Sequence, residues 1–205
     1  MKIKIWKPII ACAAFAAAMY AAAASANPGR YIMAMAGAAA APQGHLVFCK
    51  EHPAACAART DKPVVVKLSE ERFEELLSVN ATVNREIRPV TDMEQFGVPE
   101  YWTFPDNGIG DCEEYVIEKQ RRLLKAGWPA SALLITVVKD INNEGHAVLT
   151  VRTDQGDLIL DNQIEAVLPW YSTPYRYVKR QATTSAAAWT SISDTRVTTV
   201  ASIGN

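Results

Sequence analysis

The sequence predicts an α+β fold in which a helix that begins at Cys112 packs on an antiparallel sheet. Two observations predict it. Residues 111–127 open with a helix-capping aspartate, carry acids in the first turn and bases in the last, and end at a glycine. Residues 133–160 then contain three short segments rich in β-branched and aliphatic residues, separated by Asn, Asp and Gly turns. A helix followed by closely spaced strands is typical of an α+β domain.

Residues 1–26 are predicted to be a secretory signal peptide. Three lysines precede an alanine-rich apolar run, and Ala24-Ser25-Ala26 forms an Ala-x-Ala cleavage site. The run is too poor in Leu and Val for a permanent membrane span. Lipoprotein-type cleavage at Cys12 is the weaker alternative, because almost no apolar sequence lies upstream of it. We therefore expect a periplasmic or secreted protein.

The expected mature chain is one mildly acidic domain. Cleavage would leave 179 of the 205 residues, with 18 Lys+Arg and 22 Asp+Glu, for a formal charge of about −4. This length is sufficient for a single buried core. The sequence has no basic stripe with interleaved aromatic residues and no second long apolar segment. These features argue against nucleic-acid binding and against a membrane channel.

The domain is predicted to occupy residues 45–192, between a flexible or surface-draped lead-in at 27–44 and a tail at 193–205. The lead-in is rich in Ala, Gly and Met and lacks the periodicity of a packed element. An amphipathic helix is predicted from Ser69, which is a good N-cap followed by acids. Residues 88–110, with several prolines and glycines, are predicted to form a long loop that leads to Cys112.

The strands after the Cys112 helix are predicted to form an antiparallel meander. Its members are residues 133–138, 147–152 and 158–160, and the alternating segment 175–181 is expected to add a further strand. The Ser/Thr/Ala-rich sequence beyond 181 predicts no element clearly.

The cysteine count indicates one unpaired thiol. Signal-peptide cleavage would leave Cys49, Cys56 and Cys112 in a compartment where disulfides persist. Cys49 and Cys56 are close enough in sequence for a local disulfide. With His45 and His52 they also form a His-x3-Cys-x2-His-x3-Cys pattern, so a zinc site or free thiols are the alternatives. Cys112 is the odd cysteine under any of these assignments.

Cys112 has the sequence position of a nucleophile. The partial positive charge of a helix N-terminus lowers the pKa of a thiol, and the thiolate is the reactive form. A nucleophilic cysteine needs a base and the base needs an orienting acceptor. His146 directly precedes one predicted strand and Asp161 closes the next, so the two can converge with Cys112 at one end of the sheet. A histidine beside a turn and an aspartate at a strand end are also ordinary structural residues, so spacing alone leaves both interpretations open.

Several motifs together resemble the bacterial transglutaminase-like cysteine peptidases, which include the LapG-type periplasmic proteases. The resemblance covers roughly residues 42–192. Its motifs are Tyr101-Trp102, Gly110-Asp111-Cys112-Glu113-Glu114-Tyr115, Lys119, Gly127, Gly145-His146-Ala147-Val148-Leu149 and Leu160-Asp161-Asn162. It implies a papain-like/transglutaminase-like fold, with Cys112 as nucleophile, His146 as general base and Asp161 as the residue that orients it.

The same resemblance implies a calcium site beside the nucleophile. The matching positions are Asp111 and Glu113, and at the third position this chain has Glu114 where close relatives often have Asp. Acids in a first helical turn are also ordinary stabilisers. However, three carboxylates beside a thiol oppose its ionisation, and a bound hard cation would neutralise them.

The family resemblance further implies a protein substrate such as a large surface adhesin of biofilm cells, and an inner-membrane regulatory receptor as partner. Two alternatives remain at this point. One is a periplasmic module that binds a peptide or the cell wall without turnover, and the other is an acyl transferase that uses an amine as acceptor.

Overall fold

The computed structural model describes residues 31–59 and 62–196. The expected signal peptide, residues 27–30 and most of the tail lie outside this part. The helices are α1 Gln43–Glu51, α2 Glu70–Glu86, α3 Asp92–Phe96 and α4 Cys112–Lys125. The strands are β1 Met35–Ala39, β2 Arg88–Pro89, β3 Ile109–Gly110, β4 Leu133–Lys139, β5 Gly145–Thr153, β6 Gly156–Leu160, β7 Leu168–Pro169, β8 Arg176–Ala182 and β9 Ser185–Ile192.

Seven of these strands form one sheet in the order β1-β9-β8-β4-β5-β6-β7, and all neighbours in it are antiparallel. The predicted meander is therefore confirmed as β4, β5 and β6, and β8 is the predicted additional strand. In the β5–β6 pair, Leu149 lies opposite Leu160. The start of β5 and the residue after β6 consequently lie at the same end of the sheet, which brings His146 towards Asp161.

Helix α4 packs on β4 and β5, and α2 packs on α4. The buried side chains of α4 include Val116, Ile117 and Leu123, which lie in the main hydrophobic core between the helices and the sheet. Because this face fixes α4 against the centre of the sheet, its N-terminus is held beside the first residues of β5. The predicted α+β fold is confirmed.

Two segments differ from the prediction. Within the expected lead-in, residues 35–39 form an edge strand on β9, and α1 already begins at Gln43. The predicted loop 88–110 contains α3, whose N-cap Thr91 and Glu94 form a reciprocal capping box. Parallel pairing of β2 with β3 closes the base of this loop. Across the described ranges, no helix is both long enough and apolar enough to cross a bilayer.

Candidate active site

Cys112 is the first residue of α4, and the local sequence explains why the helix starts there. Asp111 is the N-cap residue, and the Glu114 carboxylate accepts a hydrogen bond from the Asp111 backbone N–H at 3.0 Å. Gly110 makes room for Glu114, because a Cβ at position 110 would lie 2.4 Å from the Glu114 Cβ. Position 110 must therefore lack a side chain for Glu114 to fold back over the start of α4.

The thiol of Cys112 is half-buried and contacts a carboxylate. Its Sγ lies 2.8 Å from Oε2 of Glu113. Burial, followed by the charge and hydrogen bond of Glu113, raises the pKa of the thiol well above its usual value, while the backbone N–H of Ala147 acts in the opposite direction. The prediction of a lowered thiol pKa from the helix start alone is therefore wrong, because these nearer effects outweigh the helix end.

His146 and Asp161 form a buried pair at the end of the sheet. Nε2 of His146 lies 2.8 Å from Oδ1 of Asp161, and both side chains are 2% exposed. Burial opposes the ionisation of Asp161, but the hydrogen bonds and charge of its neighbours, chiefly His146 and then Tyr175, hold the pKa of the carboxyl below its usual value. Since the carboxylate can only accept, His146 carries its proton on Nε2. Nδ1, which has Nε2 of Gln163 at 3.4 Å, is then the nitrogen that can act as a base.

Cys112 and His146 line the same cleft, which has a volume of about 430 Å³. Pro42 of the segment before α1, Trp102 of the long loop and Lys179 of β8 also line it. No hydrogen bond joins the Cys112 thiol to His146 among the residues the structure describes. The structure thus places Cys112 and His146 at one cleft, with Asp161 bonded to His146 and the thiol turned towards Glu113.

The acids at this cleft form a group centred on Asp111. One ligand atom from each of Asp92, Asp111 and Glu114 lies within 4.8 Å of the others, and the same holds for Asp111, Cys112 and Glu113. The predicted ligand trio is therefore divided between two groups that share Asp111. Both oxygens of Glu114 accept backbone hydrogen bonds, from Thr103 and from Asp111, and burial raises its pKa to about 8.

Sequence reasoning missed Asp92. This residue is 3% exposed, accepts a hydrogen bond from the Tyr101 backbone N–H, and has a pKa raised to about 6 by burial first and then by neighbouring acids. Oδ1 of Asp92 and Oδ1 of Asp111 are buried without a partner in the described part of the chain. Clustered carboxylate oxygens of this kind are the ligands that Ca²⁺ prefers. Nothing in the local sequence around Asp92 indicates its contact with Asp111, which lies 19 residues further along the chain.

The Cys49–Cys56 disulfide is present, with the two Cα atoms 5.4 Å apart. The zinc alternative is thereby excluded, and His52 instead packs against the rings of Phe48 and Phe104. His45 is fully buried beside the bridge, and burial lowers its pKa to about 4. Cys112 is the free cysteine of the described residues, as the count predicts.

Residues 35–197 match the family of bacterial transglutaminase-like cysteine proteinases. The chain belongs to this family. The suspected resemblance and the transglutaminase-like fold are thus confirmed, and this family consists of cysteine proteinases. No curated protein matches the chain.

Solved structures of LapG from Legionella pneumophila are similar to this family member. One LapG structure shares 29% identity over 52% of this chain and 63% of its own, with a TM-score of 0.46. A calcium-bound LapG shares 28% over 56% and 66%, with a TM-score of 0.48. An EGTA-treated LapG shares 30% over 52% and 61%, with a TM-score of 0.46. The match therefore spans less than two thirds of the LapG chain.

Proposed function

We propose that this chain is an exported cysteine peptidase in which Cys112 is the nucleophile, His146 the general base and Asp161 the residue that orients it. The observation that carries the proposal is the buried His146–Asp161 pair at the cleft that also contains the Cys112 thiol. A base oriented by a carboxylate beside a thiol on a helix N-terminus is the arrangement that nucleophilic catalysis requires.

Acylation would begin when the thiol turns from Glu113 and gives its proton to Nδ1 of His146. Sγ then forms a bond to the carbonyl carbon of a peptide, whose oxygen becomes an oxyanion. Collapse of this intermediate breaks the C–N bond, and the proton on Nδ1 passes to the leaving amine. The products are a free amine and a thioester on Cys112.

Deacylation would use the same groups in reverse order. His146 accepts a proton from a water molecule whose oxygen forms a bond to the thioester carbonyl carbon, which gives a second oxyanion. Collapse of this intermediate breaks the C–S bond and releases the carboxylic acid product, and the proton on Nδ1 returns to Sγ. The backbone N–H of Cys112, at the start of α4, is the natural donor to both oxyanions. The indole N–H of Trp102 lies in the same cleft but donates to Glu100 at 3.0 Å.

The acid group fits a calcium ion, because clustered carboxylate oxygens are the ligands that Ca²⁺ takes in proteins. Asp111 would hold it together with the unpartnered oxygen of Asp92, which belongs to the same group. Glu113 belongs to the second group around Asp111, and both oxygens of Glu114 accept hydrogen bonds from backbone N–H groups. When bound, Ca²⁺ would offset the negative charge that opposes ionisation of the thiol. The chain's own acids would keep that ion adjacent to Cys112.

The proposed substrate is a protein, and by family resemblance a large surface adhesin whose cleavage releases biofilm cells. An inner-membrane receptor that regulates the peptidase is proposed on the same basis, with the periplasm as the compartment. The expected signal peptide supports this location by its composition.

Labelling of purified mature protein with iodoacetamide tests the nucleophile. We expect Cys112 to react faster in the folded protein with Ca²⁺ than in the unfolded chain, and His146→Ala to remove the excess. His52→Ala is the matched control, because His52 packs on phenylalanine rings outside the cleft. Absence of excess reactivity would contradict the proposal and favour the non-catalytic binding module.

Profiling of new protein N-termini in the cell envelope tests the reaction. We expect new N-termini with the wild-type chain that disappear with Cys112→Ala. Mass spectrometry of the products separates hydrolysis from transfer, because an amine acceptor would give a cross-linked product and no new carboxylate.

A further inference from the structure

The two oxygens of the Asp161 carboxylate are held by different elements. Oδ1 accepts hydrogen bonds from Nε2 of His146 at 2.8 Å and from the backbone N–H of Gln163 at 3.0 Å. Oδ2 accepts from the hydroxyl of Tyr175 at 2.5 Å. The Tyr175 hydroxyl therefore satisfies the oxygen that His146 does not use.

Tyr175 also contacts His146 directly. The two rings have centroids 5.4 Å apart, at an interplanar angle of 59°. Tyr175 is 2% exposed, and burial, followed by the Asp161 hydrogen bond, raises the pKa of its hydroxyl far above the usual value. The hydroxyl thus remains a donor over the whole range in which a peptidase acts.

Tyr175 is anchored by the far side of the sheet. It directly precedes β8, and its backbone carbonyl accepts a hydrogen bond from Arg196 at 2.6 Å. Arg196 is in turn paired with Asp194 at 2.8 Å. The Tyr175 ring lies in a second buried cluster with Trp170 and Tyr177. This support is independent of α4, which carries the thiol.

We propose that Tyr175 is a positioning residue of the peptidase: its hydroxyl fixes the Asp161 carboxylate so that Oδ1 points at Nε2 of His146. The inference rests on the proposed function. Without the hydroxyl, Oδ2 would be buried with no donor and the carboxylate would be free to rotate away from the imidazole. Tyr175 acts through Asp161 and His146 and does not line the cleft.

Tyr175→Phe tests this role. We expect kcat to fall about tenfold, corresponding to about 1.4 kcal/mol, with KM unchanged because the cleft is untouched. The acid limb of the pH profile should move to higher pH, because loss of a donor raises the pKa of the Asp161 carboxyl. The other titratable groups that face Asp161 are Lys119 on α4, Tyr177 on β8 and His146 on β5. The substitution leaves all three unchanged.

Tyr177→Phe is the matched control. It also removes one buried hydroxyl from the same cluster, but that hydroxyl bonds to Thr173 at 2.9 Å. We expect wild-type kcat and an unshifted acid limb. An equal loss in both variants, or wild-type behaviour of Tyr175→Phe, overturns the proposal.

A double-mutant cycle with Asp161→Asn isolates the route of the effect. If Tyr175 acts through Asp161, Tyr175→Phe should change kcat less than twofold in the Asp161→Asn background; an undiminished tenfold loss there contradicts the inference. Should Tyr175→Phe fail to fold, fluorotyrosine incorporated at position 175 serves instead. It keeps the shape and is a stronger donor, so the acid limb should move to lower pH, and an unmoved limb overturns the proposal.

The two hypotheses fail in different ways. Full activity of Cys112→Ala and His146→Ala would refute the proposed function. Full activity of Tyr175→Phe alone, with those two variants inactive, would refute only the role of Tyr175.

Discussion

The imidazole side and the thiol side of the cleft are built in opposite ways. At His146–Asp161, both carboxylate oxygens have donors, and Asn80 and Asn84 of α2 bond to the backbone of Asp161. At Cys112, the thiol contacts an acid, and Asp92 and Asp111 each have an unpartnered buried oxygen. We call the imidazole side complete, because both oxygens of the Asp161 carboxylate have donors. We call the thiol side incomplete, because its acids have oxygens without a partner among the described residues. The difference predicts that a bound cation would act on the thiol side.

The largest expected effect on kcat comes from a substitution on the complete side, at the His146–Asp161 pair. Asp161→Asn keeps the shape but removes the charge and the preferred acceptor, so we expect kcat to fall by about 10³-fold or more. Asp106→Asn is the control, because the Asp106 side chain is 72% exposed and pairs with Arg121. Steady-state kinetics on a cleaved peptide measures both, and a loss below about threefold for Asp161→Asn would show that the pair is structural.

The next prediction concerns the incomplete side. Calcium at 100 times its dissociation constant should stabilise the protein by about 2.7 kcal/mol, and the melting temperature should rise by about 5–10 °C. Thermal unfolding with Ca²⁺ or EGTA measures this shift without reference to activity. Asp92→Asn and Asp111→Asn should abolish the shift, while Asp106→Asn should keep it. An equal shift in all three variants would mean that calcium binds elsewhere.

The elements that the sequence predicted well are those specified by local patterns. Helix α4 is predicted by its capping residues and by the charges at its two ends, and strands β4 to β6 are predicted by apolar runs between turns. Because antiparallel pairing puts the start of β5 beside the end of β6, the approach of His146 to Asp161 also follows from the sequence.

The parts that the sequence did not predict depend on distant contacts. Strand β1 has the sequence Met-Ala-Gly-Ala-Ala and owes its conformation to pairing with β9, and α1 has Pro42 at its N-cap with no side-chain cap. Asp92 reaches Asp111 only because of the path of the loop between them. The raised thiol pKa likewise depends on burial and on where Glu113 points.

The disulfide provides a smaller test of whether the two sides are independent. The Cys49–Cys56 bridge has a sequence separation of seven residues and lies in the same hydrophobic core as Trp102. In the chain-entropy model its loss should lower the free energy of unfolding by about 2.5 kcal/mol. We expect the Cys49→Ala, Cys56→Ala double variant to retain the effect of Asp161→Asn on kcat. Urea unfolding and kinetics check this, and loss of the Asp161 effect would show that the bridge supports the imidazole side as well.

The smallest effect concerns His45, whose ring centroid lies 5.3 Å from that of Trp102. Its Nδ1 accepts a hydrogen bond from the indole N–H of Trp189 at 3.2 Å, so protonation would remove an acceptor. The pKa of folded His45 is lowered from 6.5 to about 4, so the unfolded chain binds the proton first. Stability from this group is complete above about pH 6.5 and is lost at up to about 1.4 kcal/mol per pH unit as the pH falls towards 4.

Only the difference between variants isolates His45, because the raised pKa values of Asp92 and Glu114 act in the opposite direction as the pH falls. His45→Gln should start from a lower stability at pH 7 and lack this pH-dependent loss, whereas His52→Gln should retain the wild-type slope. Urea unfolding at pH 7, 6 and 5 measures both. If His45→Gln and the wild type had equal slopes, His45 would be accessible to solvent in the folded protein. The packing around Trp102 on the thiol side would then be more mobile than its buried aromatic contacts indicate.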